Sequence, residues 1–237
     1  MQDIIRSDSR GSADLGWLQS RHTFSFADYH NPSMMGYGSL RVINEDWIAP
    51  GQGFPTHPHR DMEIVTYMID GELEHKDNMG NGSVIRAGEL QRMSAGTGVL
   101  HSEFNPSSDA TAHLLQIWIL PKIAGLEPGY EQKLFPAAER HNHWQLLAGP
   151  DGGDGALTIH QDTWMYSTVL DEGQLLQHRF ANGNRGFLQV VKGDVRIDDN
   201  VLKAGDALAL QDEAALRIVA DSDAECLLFE MNKAQIA

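Results

Sequence analysis

Two short patterns carry residue types that hold and activate metal ions, His57-Pro58-His59 and His101-Ser102-Glu103. In a β-strand, residues i and i+2 point to one face with Cα atoms ~6.5–7 Å apart. Each pattern therefore sets two donors side by side, and two such pairs on neighbouring strands can converge on one ion. Neutral imidazoles with one carboxylate suit Fe(II), Mn, Co, Ni, Cu or Zn, and four protein donors leave two of six coordination positions open. Thiolate sites are excluded, because the single cysteine, Cys226, lies in the apolar run 224–229 and reads as a buried, inert thiol.

Spacing alone is weak evidence. His141-Asn142-His143 repeats the His-x-His pattern in a polar stretch with no matching partner and reads as solvated surface. His160 and His178 stand alone and read as satisfied core or surface residues. Glu63, four residues after His59, is the competing carboxylate.

The elements that must position these donors are strands. Gly51, Gly53, Gly71, Gly80, Gly82, Gly88, Gly96 and Gly98 punctuate the chain at short intervals, with β-rich runs at 63–69 and 113–119 between turns. Short strands with Gly and Asn turns predict an all-β sandwich or barrel, and no sustained helical period with caps is present. An internal echo supports a duplicated barrel. Tyr67-Met68-Ile69-Asp70-Gly71 and Ala87-Gly88-Glu89 recur in outline as Val190-Val191-Lys192-Gly193-Asp194 and Ala204-Gly205-Asp206. The Gly-, Pro-, His- and Asn-bearing stretch 121–154 reads as the connection between the two units. With 237 residues, the expected division is 1–132 and 133–237.

Composition narrows the function classes. Apolar residues make up 41% of the chain, enough for real cores, and 18 Lys and Arg against 33 Asp and Glu give a net charge of −15. Such a surface repels phosphate backbones and anionic lipid, so neither nucleic acid nor membrane is an expected partner. The N-terminus lacks a signal pattern, and the apolar run 114–120 is too short to span a bilayer, so a cytoplasmic location is expected.

The order Gly51, His57-Pro58-His59, Glu63, Gly71, then Gly88, Gly96-Thr97-Gly98, His101, Asn105 resembles the two cupin motifs. It departs from them in Gly96, where proline is usual, and in adding Glu103. That addition, with the run 17–29 (WLQSRHTFSFADY) and Gln116-Ile117-Trp118-Ile119, resembles the pirin family, in particular bacterial members described as quercetin 2,3-dioxygenases. The resemblance implies a bicupin, two jelly-roll-like β-barrels facing each other. It implies one divalent metal, commonly iron, in the N-terminal barrel, bound by His57, His59, His101 and Glu103. Glu63 is then a structural acid or one that orients a ligand imidazole, and the C-terminal barrel is structural.

The implied substrates are a flavonol such as quercetin and dioxygen, with carbon monoxide released and Glu103 as general base. A monomer is expected. Two other readings stay open, a metal-binding regulatory protein that docks on a protein partner, and another cupin activity such as an isomerase.

Overall fold

The computed structural model describes residues 2–181 and 183–233. Apart from three short 3-10 helices, its regular elements are all strands, arranged as four sheets. Each half of the chain builds a seven-stranded sheet and a four-stranded sheet, and the bicupin arrangement expected from the motifs is what forms. No helix among the described residues is long and apolar enough to cross a membrane.

Alternation along each strand decides which surface a residue meets. In strand Glu63–Asp70, Val65, Tyr67 and Ile69 belong to the core shared by the two large sheets, while Ile64 and Met68 belong to clusters inside the first barrel. Phe24, Ile43, Ile117, Met165, Phe187 and Phe229 join that shared core, so the two large sheets pack face to face. The interior of the second barrel is solid with apolar side chains, among them Leu188, Val190, Leu208, Ile218 and Leu228. Cys226 lies within it, fully buried, with its thiol pushed well up by burial and by Glu225.

The internal echo is a genuine structural duplication. Gly71 and Gly193 each link two consecutive strands at φ +74° and +72°, and a Cβ on either would strike the backbone of a neighbouring segment. Gly88 and Gly205 take φ +83° and +86°, and each donates its N–H to the matching strand, to Met68 O and Val190 O. Only glycine occupies such positions without strain.

Two features differ from the expectation. The stretch 121–154 is more than a connection. Its strand Gly129–Leu134 pairs with Glu89–Ser94 at the edge of the first large sheet, and Gln145–Gly149 pairs with Thr163–Leu170 in the second. The first of these spans the expected division at 132. The opening strand Gln2–Ile5 crosses to the other half and pairs with Ala207–Leu210, anchored by Arg6 on Asp206 at 2.8 Å. Both strands lie at sheet edges, and Gly129–Leu134 is polar enough to resemble a linker in composition.

Candidate metal centre

Strands Gly53–His59 and Val99–Phe104 are antiparallel neighbours in the first small sheet, with His101 opposite His57 and Val99 opposite His59. The spacing of two therefore places His57, His59 and His101 on one inward face. Their ring centroids lie 4.4–4.8 Å apart, and their ligand nitrogens fall within 4.8 Å of one another. A register shift between His101 and Glu103 sets Glu103 opposite Phe54 on one side and His75 on the other. Glu103 is buried and groups with His101 and His75 within the same 4.8 Å limit.

The donor set fits a cation. His57 Nδ1 donates to the Pro55 carbonyl at 2.8 Å, which leaves Nε2 as a bare lone pair. That atom faces His101 Nε2 at 3.0 Å. Behind His101 stands His75, fully buried, whose Nε2 donates to Asp77 Oδ2 at 3.1 Å. Burial works against the Asp77 carboxylate, but donors from Asn81, His75 and Met79 hold it below its ordinary range. His75 Nδ1 is then an acceptor, and His101 Nδ1 donates to it at 3.4 Å. With neither Nε2 carrying a proton, two lone pairs 3.0 Å apart repel each other, and a shared proton or a metal ion between them relieves that repulsion. Burial first, then the neighbouring rings, drives the His59 imidazole down to about 4 and His101 to about 2. Both rings stay neutral, as metal ligation requires.

Glu103 is held from the opposite sheet. Gln116 Nε2 donates to Oε2 at 3.1 Å, and Thr66 Oγ1 reaches Oε1 at 3.5 Å. Burial raises the carboxyl to about 7, with the Gln116 bond opposing and the charge of Asp46 adding to the rise. Beside the cluster lies a cavity of ≈ 440 Å³ with aromatic and aliphatic walls that include Phe26, Phe54, Ile64 and Trp118. Trp118 sets its ring edge-to-face on His59 with centroids 5.0 Å apart.

Glu63 does not orient a ligand imidazole. It begins the strand whose even-numbered residues face the cluster, so its own side chain points the other way. There it accepts from Ser94 Oγ at 2.9 Å and pairs with His160 Nδ1 at 3.3 Å, buried at the junction of the halves. His178 donates to Glu230 at 2.7 Å among Trp144, Tyr166 and Phe180, remote from the cluster. His141 and His143 are exposed, with His141 on Asp171 at 2.9 Å. Changing both to alanine is expected to leave metal content unaltered, as elemental analysis of the purified variant will show.

The pair His75 and Asp77 was missed in the sequence, although His-x-Asp within strand Glu72–Asp77 is the same one-face spacing. Its role gives a graded prediction. His75→Leu removes the acceptor behind His101 and is expected to weaken metal binding by ~10–100-fold, the usual cost of losing such a partner. His75→Asn restores an oxygen near the position of Nδ1 and is expected to recover most of that loss. Competition with a chromophoric chelator measures both, and equal losses would show that the hydrogen bond does not matter.

Known proteins resemble this chain in sequence and fold. The family described as Pirin matches residues 5–119, and that described as Quercetinase C-terminal cupin domain matches residues 146–231. Quercetin 2,3-dioxygenase of Escherichia coli (strain K12) is 50% identical over 228 residues, which are 96% of this chain and 97% of the relative. A pirin-like protein of Caulobacter vibrioides is 41% identical over 94% of this chain and 96% of its own. Among solved structures, YhhW from Escherichia coli superposes with TM-score 0.95 at 48% identity, covering all of both chains. A second structure, of bacterial pirin YhhW in complex with nickel(II), gives TM-score 0.93 at 48% identity over 98% of this chain and 99% of that one. Likeness at this level, running from end to end and through both barrels, makes the chain a member of the pirin family.

Proposed function

We propose that this protein is a metal-dependent dioxygenase that opens the central ring of a flavonol such as quercetin with dioxygen, giving a ring-opened ester and carbon monoxide. The observation that carries the reading is the clustering of His57, His59 and His101, with the buried Glu103 grouped on His101, beside an aromatic-walled cavity. The name of the Escherichia coli relative supports the substrate class. On this reading His57, His59, His101 and Glu103 hold one divalent ion in the N-terminal barrel, with Fe(II) the resident ion. The C-terminal barrel serves as scaffold, and the protein works as a cytoplasmic monomer.

When bound, the ion supplies Lewis acidity toward the flavonol 3-hydroxyl and its neighbouring carbonyl, together with the electronic path for reaction with dioxygen. The rest falls to the side chains. Phe26, Phe54 and Trp118 form walls against which a flat aromatic ligand packs, and Leu18 and Ile64 keep water from its faces. Glu103, the one carboxylate of the set and part of the cavity lining, takes the 3-hydroxyl proton on a carboxylate oxygen. Gln116 and Thr66 fix that oxygen's direction while the proton moves.

The test is aerobic loss of quercetin's visible absorbance by protein loaded in turn with Fe(II), Mn, Co, Ni, Cu and Zn. Bleaching that scales with bound metal is expected for at least one ion. Absence of bleaching with every fully loaded form would overturn the proposal.

A further inference from the structure

The inner face of the first large sheet carries a row of polar side chains that the fold itself does not need. Register places His22 opposite Asn44, Asn44 opposite Gln116, Gln116 opposite Thr66, and Thr66 opposite Gln91, across five adjacent strands. The second barrel supplies an internal control. Thr66 and Leu188 stand at the same offset before Gly71 and Gly193, and Gln91 and Leu208 at the same offset after Gly88 and Gly205. Leu188 pairs with Leu208 and Leu228, and Leu228 with Tyr166, so the matching row there is Leu208, Leu188, Leu228, Tyr166. One barrel fills this row with three leucines and a tyrosine, and the other carries amides, a hydroxyl and an imidazole in it.

One end of the polar row is used by the metal cluster, through Thr66 and Gln116 on Glu103 and Gln91 beside His75. The other end, Asn44 and His22, touches none of the cluster's ligands. It continues into Ser20 and Asp46, which face each other in the next row. All four side chains are buried, at 3–5% exposure, and all four line the cavity. Their bonds to one another use only part of their capacity. His22 Nδ1 donates to Asn44 Oδ1 at 2.9 Å, and Ser20 Oγ donates to Asp46 Oδ1. Asn44 Nδ2, Asp46 Oδ2 and His22 Nε2 have no partner among the described residues. One amide donor and two acceptors thus face a cavity whose other walls are apolar.

We infer that Asn44, Asp46 and His22 form a hydroxyl-reading subsite for the end of the ligand remote from the metal, selecting aromatics that carry hydroxyls on that ring. A phenolic O–H gives its proton to Asp46 or His22 while its oxygen accepts from Asn44, which is the complement of one donor and two acceptors. Aliphatic or unsubstituted aromatic ends would bury these groups unsatisfied. The spacing agrees. At about 5 Å per strand, His22 stands about 10 Å across the sheet from Gln116. That span compares with the separation of the chelating edge and the pendant ring of a flavonol. Burial lifts the Asp46 carboxyl to about 6, so near neutral pH it is ionised and short of a donor.

The inference rests on the flavonol reading above, and one binding experiment separates the two. Affinities are measured without oxygen, on the nickel-loaded protein, for quercetin and for galangin, which differ only in the two hydroxyls of the pendant ring. Tryptophan fluorescence quenching reports binding with no turnover. The wild-type protein is expected to hold quercetin at least about tenfold more tightly than galangin, the scale of one or two well-placed hydrogen bonds. Asn44→Ala and Asp46→Asn are expected to cut that preference severalfold, with the galangin affinity held or raised as the unsatisfied group or charge is removed. Equal affinities in the wild-type protein, a comparison that needs no variant to fold, would overturn the subsite and leave the flavonol reading intact. So would a preference that survives both changes. Failure of both flavonols to bind would instead overturn the flavonol reading and this inference with it.

Discussion

His57→Ala and His101→Ala are each expected to leave a folded protein that loses most of its metal. Loss of an outer partner of a ligand already costs ~10–100-fold in affinity, and losing the ligand itself costs more. The half-buried His57 is the safer of the two, because its truncation opens toward the cavity, whereas His101 is 1% exposed and packs on His57, His59 and His75. Metal content by elemental analysis, read beside circular dichroism, separates ligand loss from unfolding. Metal retained at one ion per chain in both folded variants would remove the three-imidazole centre from consideration. Turnover is expected to fall with metal in each, because the other group of described donors, His75, His101 and Glu103, shares His101 with this centre.

The second large effect belongs to Glu103. Glu103→Gln keeps the side chain's shape and one hydrogen bond from Gln116 or Thr66 but removes the charge and the basic oxygen. Flavonol turnover normalised to bound metal is expected to fall by the ~10²–10⁴-fold typical of a lost general base. Glu63→Gln is the matched control. Its carboxylate faces Ser94 and His160 on the far side of the same sheet, so turnover per metal is expected to change little. Stability is the property that changes there, through the junction between the barrels. The reverse ranking would move the catalytic carboxylate to Glu63.

The clustering of these side chains was legible in the sequence because a strand has a period of two. His57, His59, His101 and Glu103 needed only one face and one neighbouring strand, and the antiparallel pairing with His101 opposite His57 supplied both. The same parity, applied to Glu63 and Thr66, sets Glu63 on the opposite face from the cluster. What surrounds the centre was harder to read. Asn44, Asp46, Thr66, Gln91 and Gln116 are polar residues at positions where alternation demands hydrocarbon, so they look like the outward face of their strands. Only the register against the second barrel, where Leu208, Leu188, Leu228 and Tyr166 take the places of Gln91, Thr66, Gln116 and Asn44, shows the row to be the exception. His75 and Asp77 looked like part of the charged hairpin around Lys76. The crossing of Gln2–Ile5 to the far barrel depends on pairing over some two hundred residues, which no local pattern encodes. Strand Gly129–Leu134, with Glu131 held by Arg92 and Lys133 facing out, carries the composition of a loop.

The central claim, that a single metal bound in the first barrel opens a flavonol ring, is tested most directly by following carbon monoxide and quercetin in one sealed sample of protein with measured metal content. One carbon monoxide released per quercetin consumed, at a rate proportional to bound metal, is the predicted result. Quercetin lost without carbon monoxide, or no reaction from protein carrying one ion per chain, would contradict it.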